Sequence, residues 1–124
     1  MVWEKKPSVL REKSFIFSVR IVKLGRCLQE DKREFVLSKQ LLRSGTAIGA
    51  LIREAEQGES RPDFIHKLAI GLKEANETEY WIDLLFETEL INEKSFISIK
   101  ADCVELIKLL TSIIKTTKKK QLDK

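Results

Sequence analysis

The sequence predicts an all-α fold, an antiparallel up-down four-helix bundle. Three observations predict it: four long amphipathic stretches, short connections that carry capping residues, and a scarcity of breakers. Only 5 Gly and 2 Pro occur in 124 residues, too few for a loop-rich or many-stranded fold. That length fits one domain with a single core. Its expected extent is residues 1–117, with residues 118–124 as a Lys-rich flexible tail. Helices of about 20 to 25 residues would each span roughly 30 to 38 Å.

The first helical block runs from about Ser8 to Gln29. Phe17, Ile21, Leu24 and Leu28 line one edge, while Phe15, Val19 and Val22 line another. The apolar arc covers about 200°, roughly twice that of a simple surface helix. Such a helix is either central or covered by a second subunit. Charge-dense residues 30–34 then form a corner.

The second block, from about Lys32 to Gln57, contains QLLRSGTAIGALIREA at residues 40–55. Leu41, Ile48, Ile52 and Ala55 stack on one face. Each Gly costs an isolated helix about 1 kcal/mol relative to Ala, so Gly45 and Gly49 imply close approach of a neighbouring helix. Gly58 is expected to end the block as a left-handed cap.

Ser60, Pro62 and Asp63 start the third block as a capping arrangement. Phe64, Leu68, Leu72, Ala75, Ile82 and Phe86 form its seam, with Ile70, Trp81 and Leu84 on a second apolar face. Glu79 falls within the seam, where a carboxylate needs a cation, a donor or water. Asn92 caps the fourth block, about Glu93 to Thr117, whose stripe is Phe96, Ile99, Cys103, Leu106, Leu110 and Ile113.

The net charge of +4 is unevenly placed. Residues 1–60 carry 12 basic and 8 acidic groups, residues 61–114 carry 6 and 10, and residues 115–124 carry five Lys and one Asp. A basic first half and an acidic second half can bind helix pairs together, join copies, or leave a surface free for phosphates. No run of about 18 apolar residues is present to span a membrane. The first residues lack the apolar core of a secretion signal. Cys27 and Cys103 are expected as buried free thiols, so the expected compartment is the cytoplasm.

Enzymatic chemistry finds little support. Ferritin-like di-metal sites need a Glu-x-x-His pair on two helices, and this chain has 1 His. Asp63 and His66 imitate half of that pattern without a counterpart. Glu74, Glu77, Glu79, Asp83, Glu87 and Glu89 spread around a helix instead of converging. No catalytic residue, metal or cofactor is therefore expected. The basic residues are better candidates: Lys39, Arg43 and Arg53 share one face, Lys13, Arg20 and Lys23 another, and Lys118, Lys119 and Lys120 add mobile charge. Phosphate contacts from such groups would be sequence-independent and salt-sensitive. The structural alternative is that Arg43 and Arg53 neutralise the acidic third helix.

Residues 43–55 (RSGTAIGALIREA), residues 63–81 (DFIHKLAIGLKEANETEYW) and the Lys-rich end together resemble a known family. It comprises small bacterial bundle proteins first noticed as reading frames inside intervening sequences of 23S ribosomal RNA genes. The resemblance rests on Arg43-Ser44, Ile48, Glu54, Lys73-Glu74, Glu77 and Tyr80-Trp81. The family's usual Ser and Asn in the second helix are Ala47 and Leu51 here, which removes that polar pair. The resemblance implies a ring of bundles, typically a homopentamer. Related bundles are accessory proteins of diversity-generating retroelements, where a basic ring surface engages nucleic acid and a reverse transcriptase. The resulting expectation is a non-enzymatic homo-oligomer that binds rRNA or another structured nucleic acid, with Glu77, Glu79, Tyr80 and Trp81 as structural or interface residues. The alternative is a protein-interaction scaffold that makes no nucleic-acid contact.

Overall fold

The computed structural model describes residues 9–122 and contains four helices: α1 (Val9–Asp31), α2 (Leu37–Glu56), α3 (Arg61–Glu87) and α4 (Glu93–Leu122). No strand is present among the described residues. Each helix packs on its neighbours in chain order, and α4 returns to α1. Arg43 meets Glu77 while Glu54 meets Lys67, so α2 and α3 run antiparallel. Lys13 meets Glu105 while Arg20 meets Asp102, which sets the same relation between α1 and α4. This is the up-down bundle that the periodicity predicts. The α1–α4 seam is the thinnest of the four. Arg20 bridges it, reaching Asp102 Oδ2 at 2.5 Å and Ser98 Oγ at 2.9 Å.

One apolar edge of each helix makes the core. Phe17, Ile21 and Leu28 of α1 meet Leu41, Ile48 and Ile52 of α2, Leu68, Ile82 and Leu85 of α3, and Leu106 and Leu110 of α4, all essentially inaccessible. Ile114 rather than Ile113 is the last buried residue of α4. Ile70, Trp81 and Leu84 are half-buried beside the seam of α3, so its second apolar face is only partly covered. Four buried polar side chains, Ser14, Ser38, Ser44 and Thr78, all have hydrogen-bond partners, as buried polar groups must.

Close helix approach explains the glycines of α1 and α2. A Cβ on Gly45 would lie 2.8 Å from Ile21 Cγ2, and one on Gly25 would lie 2.8 Å from the Leu42 side chain. Gly49 faces Ser18 and Ser14 of α1 with more room.

Helix ends follow the sequence in two places and depart from it in three. The Ser60 hydroxyl accepts from the Asp63 backbone N–H at 3.2 Å, and Asn92 Oδ1 accepts from Ser95 N–H at 2.8 Å, as N-caps do. Gly58, however, has no left-handed φ. A side chain there would crowd the Ala55 carbonyl at 2.9 Å and Asp63 Oδ2 at 3.0 Å, so space rather than backbone conformation selects Gly. The left-handed positions are Arg33 (φ 55°) and Glu89 (φ 64°). Leu90 N–H bonds to the Leu85 carbonyl at 2.9 Å and Glu89 N–H to that of Phe86 at 3.0 Å, the Schellman pattern that closes α3. Finally, α2 begins at Leu37 and not near Lys32, and α4 continues past Thr117 through the lysines to Leu122. Lys is a good helix former and suits the negative end of the helix dipole.

Candidate functional site

The two apolar arcs of α1 have different fates. Its small residues decide which turns inward: Gly25 admits Leu42, and Ser14 lies beside Gly49. The Phe17–Ile21–Leu28 edge therefore faces the core. The second edge stays at the surface, with Phe15 55%, Val19 38% and Val22 37% exposed. These three form a shallow groove of about 320 Å³ together with Ser18, Lys23 and Arg26. The Arg53 guanidinium of α2 sits over the Phe15 ring at 5.3 Å, a cation–π contact. An apolar strip with three cations at its edge thus covers the outer side of α1. Contiguous exposed apolar surface of this kind marks interaction sites.

Lys23 and Lys39 are exposed and make no ion pair among the described residues. Arg53 likewise has only its ring contact. Arg26 belongs beside Lys23 but was not among the sequence candidates. It lies seven residues after Val19 and four after Val22, on the same face, so helical spacing contains its signal. Lys118, Lys119 and Lys120 are exposed on the last turns of α4.

The remaining candidates are engaged inside the chain. Lys13 pairs with Glu105 at 3.1 Å, and Arg20 bridges to Asp102 and Ser98. Arg43 reaches Glu74 at 3.2 Å and also pairs with Glu77. Glu77 additionally accepts from the Trp81 indole N–H at 3.1 Å. The indole bond and the Arg43 guanidinium together hold the Glu77 carboxyl below its ordinary value of 4.5. Tyr80 is 59% exposed and meets Trp81 edge-on at 5.0 Å. Arg43, Glu74 and Glu77 knit α2 to α3.

Glu79 finds its cation in Lys100 of α4 at 3.5 Å, and Asp83 meets the same ammonium at 2.6 Å. The Asp83 hydrogen bond, with the charges of both carboxylates, raises the Lys100 pKa. Lys100 also lies 5.6 Å from the Phe96 ring. Four carboxylates of the acidic run are thus divided between two neighbouring helices, Glu74 and Glu77 to α2 and Glu79 and Asp83 to α4. Asp63 lies in the first turn of α3 near Ser60, and His66 is exposed. Among the described residues no group of three or more His, Cys, Asp or Glu side chains is placed to hold a metal ion. Among the described residues no helix is long and apolar enough to cross a membrane.

The cysteines differ from expectation in one case. Cys103 is buried, and burial pushes its thiol up to about 12. Cys27 is exposed near the end of α1 and bonds to Asp31 Oδ2 at 3.1 Å. That hydrogen bond raises its pKa and makes the thiolate less available.

The profile of the 23S rRNA-intervening sequence proteins matches residues 7–112. A protein of unknown function from the S23 ribosomal protein family of Bacteroides thetaiotaomicron, known from a crystal structure, is 60% identical. The match covers 86% of this chain and 99% of the other, with a TM-score of 0.85. No curated protein matches this chain.

Proposed function

Since the chain belongs to the 23S rRNA-intervening sequence protein family, we propose that it is a non-enzymatic homo-oligomeric bundle that binds structured RNA through sequence-independent phosphate contacts. The observation that carries this reading is the basic edge of the exposed α1 strip: Lys23, Arg26 and Arg53 surround Phe15, Val19 and Val22 and form no ion pair among the described residues. Covering the apolar strip with a second copy would gather these cations from several chains into one electropositive surface. Five copies is the number that the family resemblance suggests. Lys39 would extend the surface, whereas Lys13, Arg20 and Arg43 would serve the bundle through their ion pairs. A scaffold that docks only proteins would use the same strip but would not need the cations.

A titration with structured RNA at about 50 and 200 mM salt separates the two. Neutralised phosphates release counterions, and each contributes a slope of about −0.7 to −0.9 in log affinity against log salt. Three contacts would weaken binding by at least about tenfold over that range. The variant Lys23→Glu/Arg26→Glu should lower both the affinity and the slope. RNA binding that is absent, or indifferent to salt and to the variant, rules the RNA reading out in favour of the scaffold.

A further inference from the structure

The two ends of the bundle carry complementary surfaces. At one end, a groove of about 690 Å³ opens between the last turns of α1 and the α3–α4 turn. Its floor is apolar, with Leu24, Leu28, Phe86 and Leu90, and its rim carries Glu87, Glu89 and Glu93 against one cation, Lys32. Carboxylates along the bundle sides, including Glu54, Glu56, Glu74, Asp102 and Glu105, have cations. The three rim glutamates have none among the described residues. One of them, Glu89, also occupies a left-handed position where Gly would be the ordinary choice.

At the other end, α4 runs two turns past its last buried residue, Ile114. This projection, residues 115–122, presents Lys115, Lys118, Lys119 and Lys120 together with Leu122, which is 84% exposed. The whole of α4 lies between groove and projection, about 45 Å for its 30 residues. A chain cannot fill its own groove with its own α4 end.

We propose that the Lys-rich end of α4 from one copy docks in the end groove of another, with Leu122 on the apolar floor and the lysine ammonium groups on Glu87, Glu89 and Glu93. Lysine stems cover apolar walls while their charged heads stay at a polar rim, which matches a floor of this composition. The contact is head-to-tail: each copy offers both halves, so association extends beyond pairs unless it closes into a ring.

Cys27 lines this groove, and Cys103 is buried, so one native thiol reports directly on the occupant. In nucleic-acid-free protein, Gln121→Cys should cross-link to Cys27 of another copy through a short bismaleimide, giving a ladder of multiples on a denaturing gel. Adding Cys27→Ser should remove the ladder. Reversing the exposed tail charges in the Gln121→Cys background (Lys118→Glu/Lys119→Glu/Lys120→Glu) leaves the core untouched and should lower the yield by about tenfold, the combined worth of several exposed ion pairs. A cysteine placed at exposed Lys108 on the side of α4 is the comparison. Equal cross-linking from positions 108 and 121, no adduct between position 121 and Cys27, or a yield unmoved by charge reversal would each overturn the proposal.

Discussion

Thr78 and Ser44 meet at the centre of the α2–α3 contact, both fully buried, with their hydroxyl oxygens 2.9 Å apart. Thr78 also lies 2.7 Å from the Glu74 carbonyl. A buried hydroxyl that loses its partner keeps its desolvation cost, about 1 to 3 kcal/mol. Thr78→Val should therefore destabilise the fold by about that amount in urea melts. Removing both hydroxyls with Ser44→Ala/Thr78→Val should cost less than the sum of the single changes. Additive costs would show that the pair is not coupled. Nearby, Glu77 has a pH signature. Its native pKa lies below 4.5, held down by the Trp81 indole and by Arg43. Its stabilising contribution is thus present above the unfolded value and is lost as the pH falls through the native one. Between about pH 5 and pH 3 the wild type should lose stability more steeply than Glu77→Gln; equal slopes would mean that the Arg43–Glu77–Trp81 cluster adds no stability. The partnership of Arg43 with the acidic third helix was readable from charge patterning. The Ser44–Thr78 bond was not, because Thr78 lies in the polar run Asn76-Glu77-Thr78-Glu79 and small polar residues carry no periodic signal.

Helix α2 shows what an element conceals in its sequence. Its first residues are Leu37 and Ser38, and Val36 at the cap position provides no side-chain acceptor. The acceptor comes from the corner instead: the Glu34 carboxylate takes the backbone N–H groups of Val36, Leu37 and Ser38 at 3.2, 3.0 and 2.8 Å. Burial works to raise the Glu34 pKa, but these bonds outweigh it and the net shift is downward. Ser38 donates to the Glu34 carbonyl and accepts from Gln29 Nε2, fastening the corner to the end of α1. The change Glu34→Ala should cost about 1 to 2 kcal/mol and fray the start of α2. Amide exchange at residues 36–38 would report it, and unchanged protection there would refute the capping role. A Glu two residues before a cap position has no place in the usual capping box, so this signal was missed. The caps at Ser60 and Asn92 follow the usual pattern, and those helix starts were legible. The outward arc of α1 was only half legible. Periodicity exposes two apolar edges, but the order between them depends on where Gly25 and Ser14 meet α2.

Across the whole molecule, bundle architecture was readable because four periodic stretches and short corners leave few other arrangements. Ownership of the charges was not readable. Lys13, Arg20 and Lys23 share a helix in the sequence, yet two of them bond across the thin α1–α4 seam and only Lys23 joins the outer strip. Which cation is free depends on partners more than 70 residues away in the chain. The resulting surface is segregated: an apolar strip with a basic edge along α1, and carboxylates around the end groove that form no ion pair among the described residues. A lone copy of this shape keeps Phe15, Val19 and Val22 partly in contact with water, and covering what remains exposed contributes roughly a third to a half of the about 1.5 to 3 kcal/mol that full burial of each would give. Association along α1 therefore underlies the whole proposed function, and light scattering measures it directly. At micromolar concentration the wild type should have a mass several times 14.4 kDa, and Phe15→Ser/Val19→Ser/Val22→Ser should lower it, reaching a folded species close to the single-chain mass once Lys118, Lys119 and Lys120 are also changed to Glu. A stable wild-type monomer, or an oligomer indifferent to the triple substitution, would contradict the assignment of α1 as the joining face.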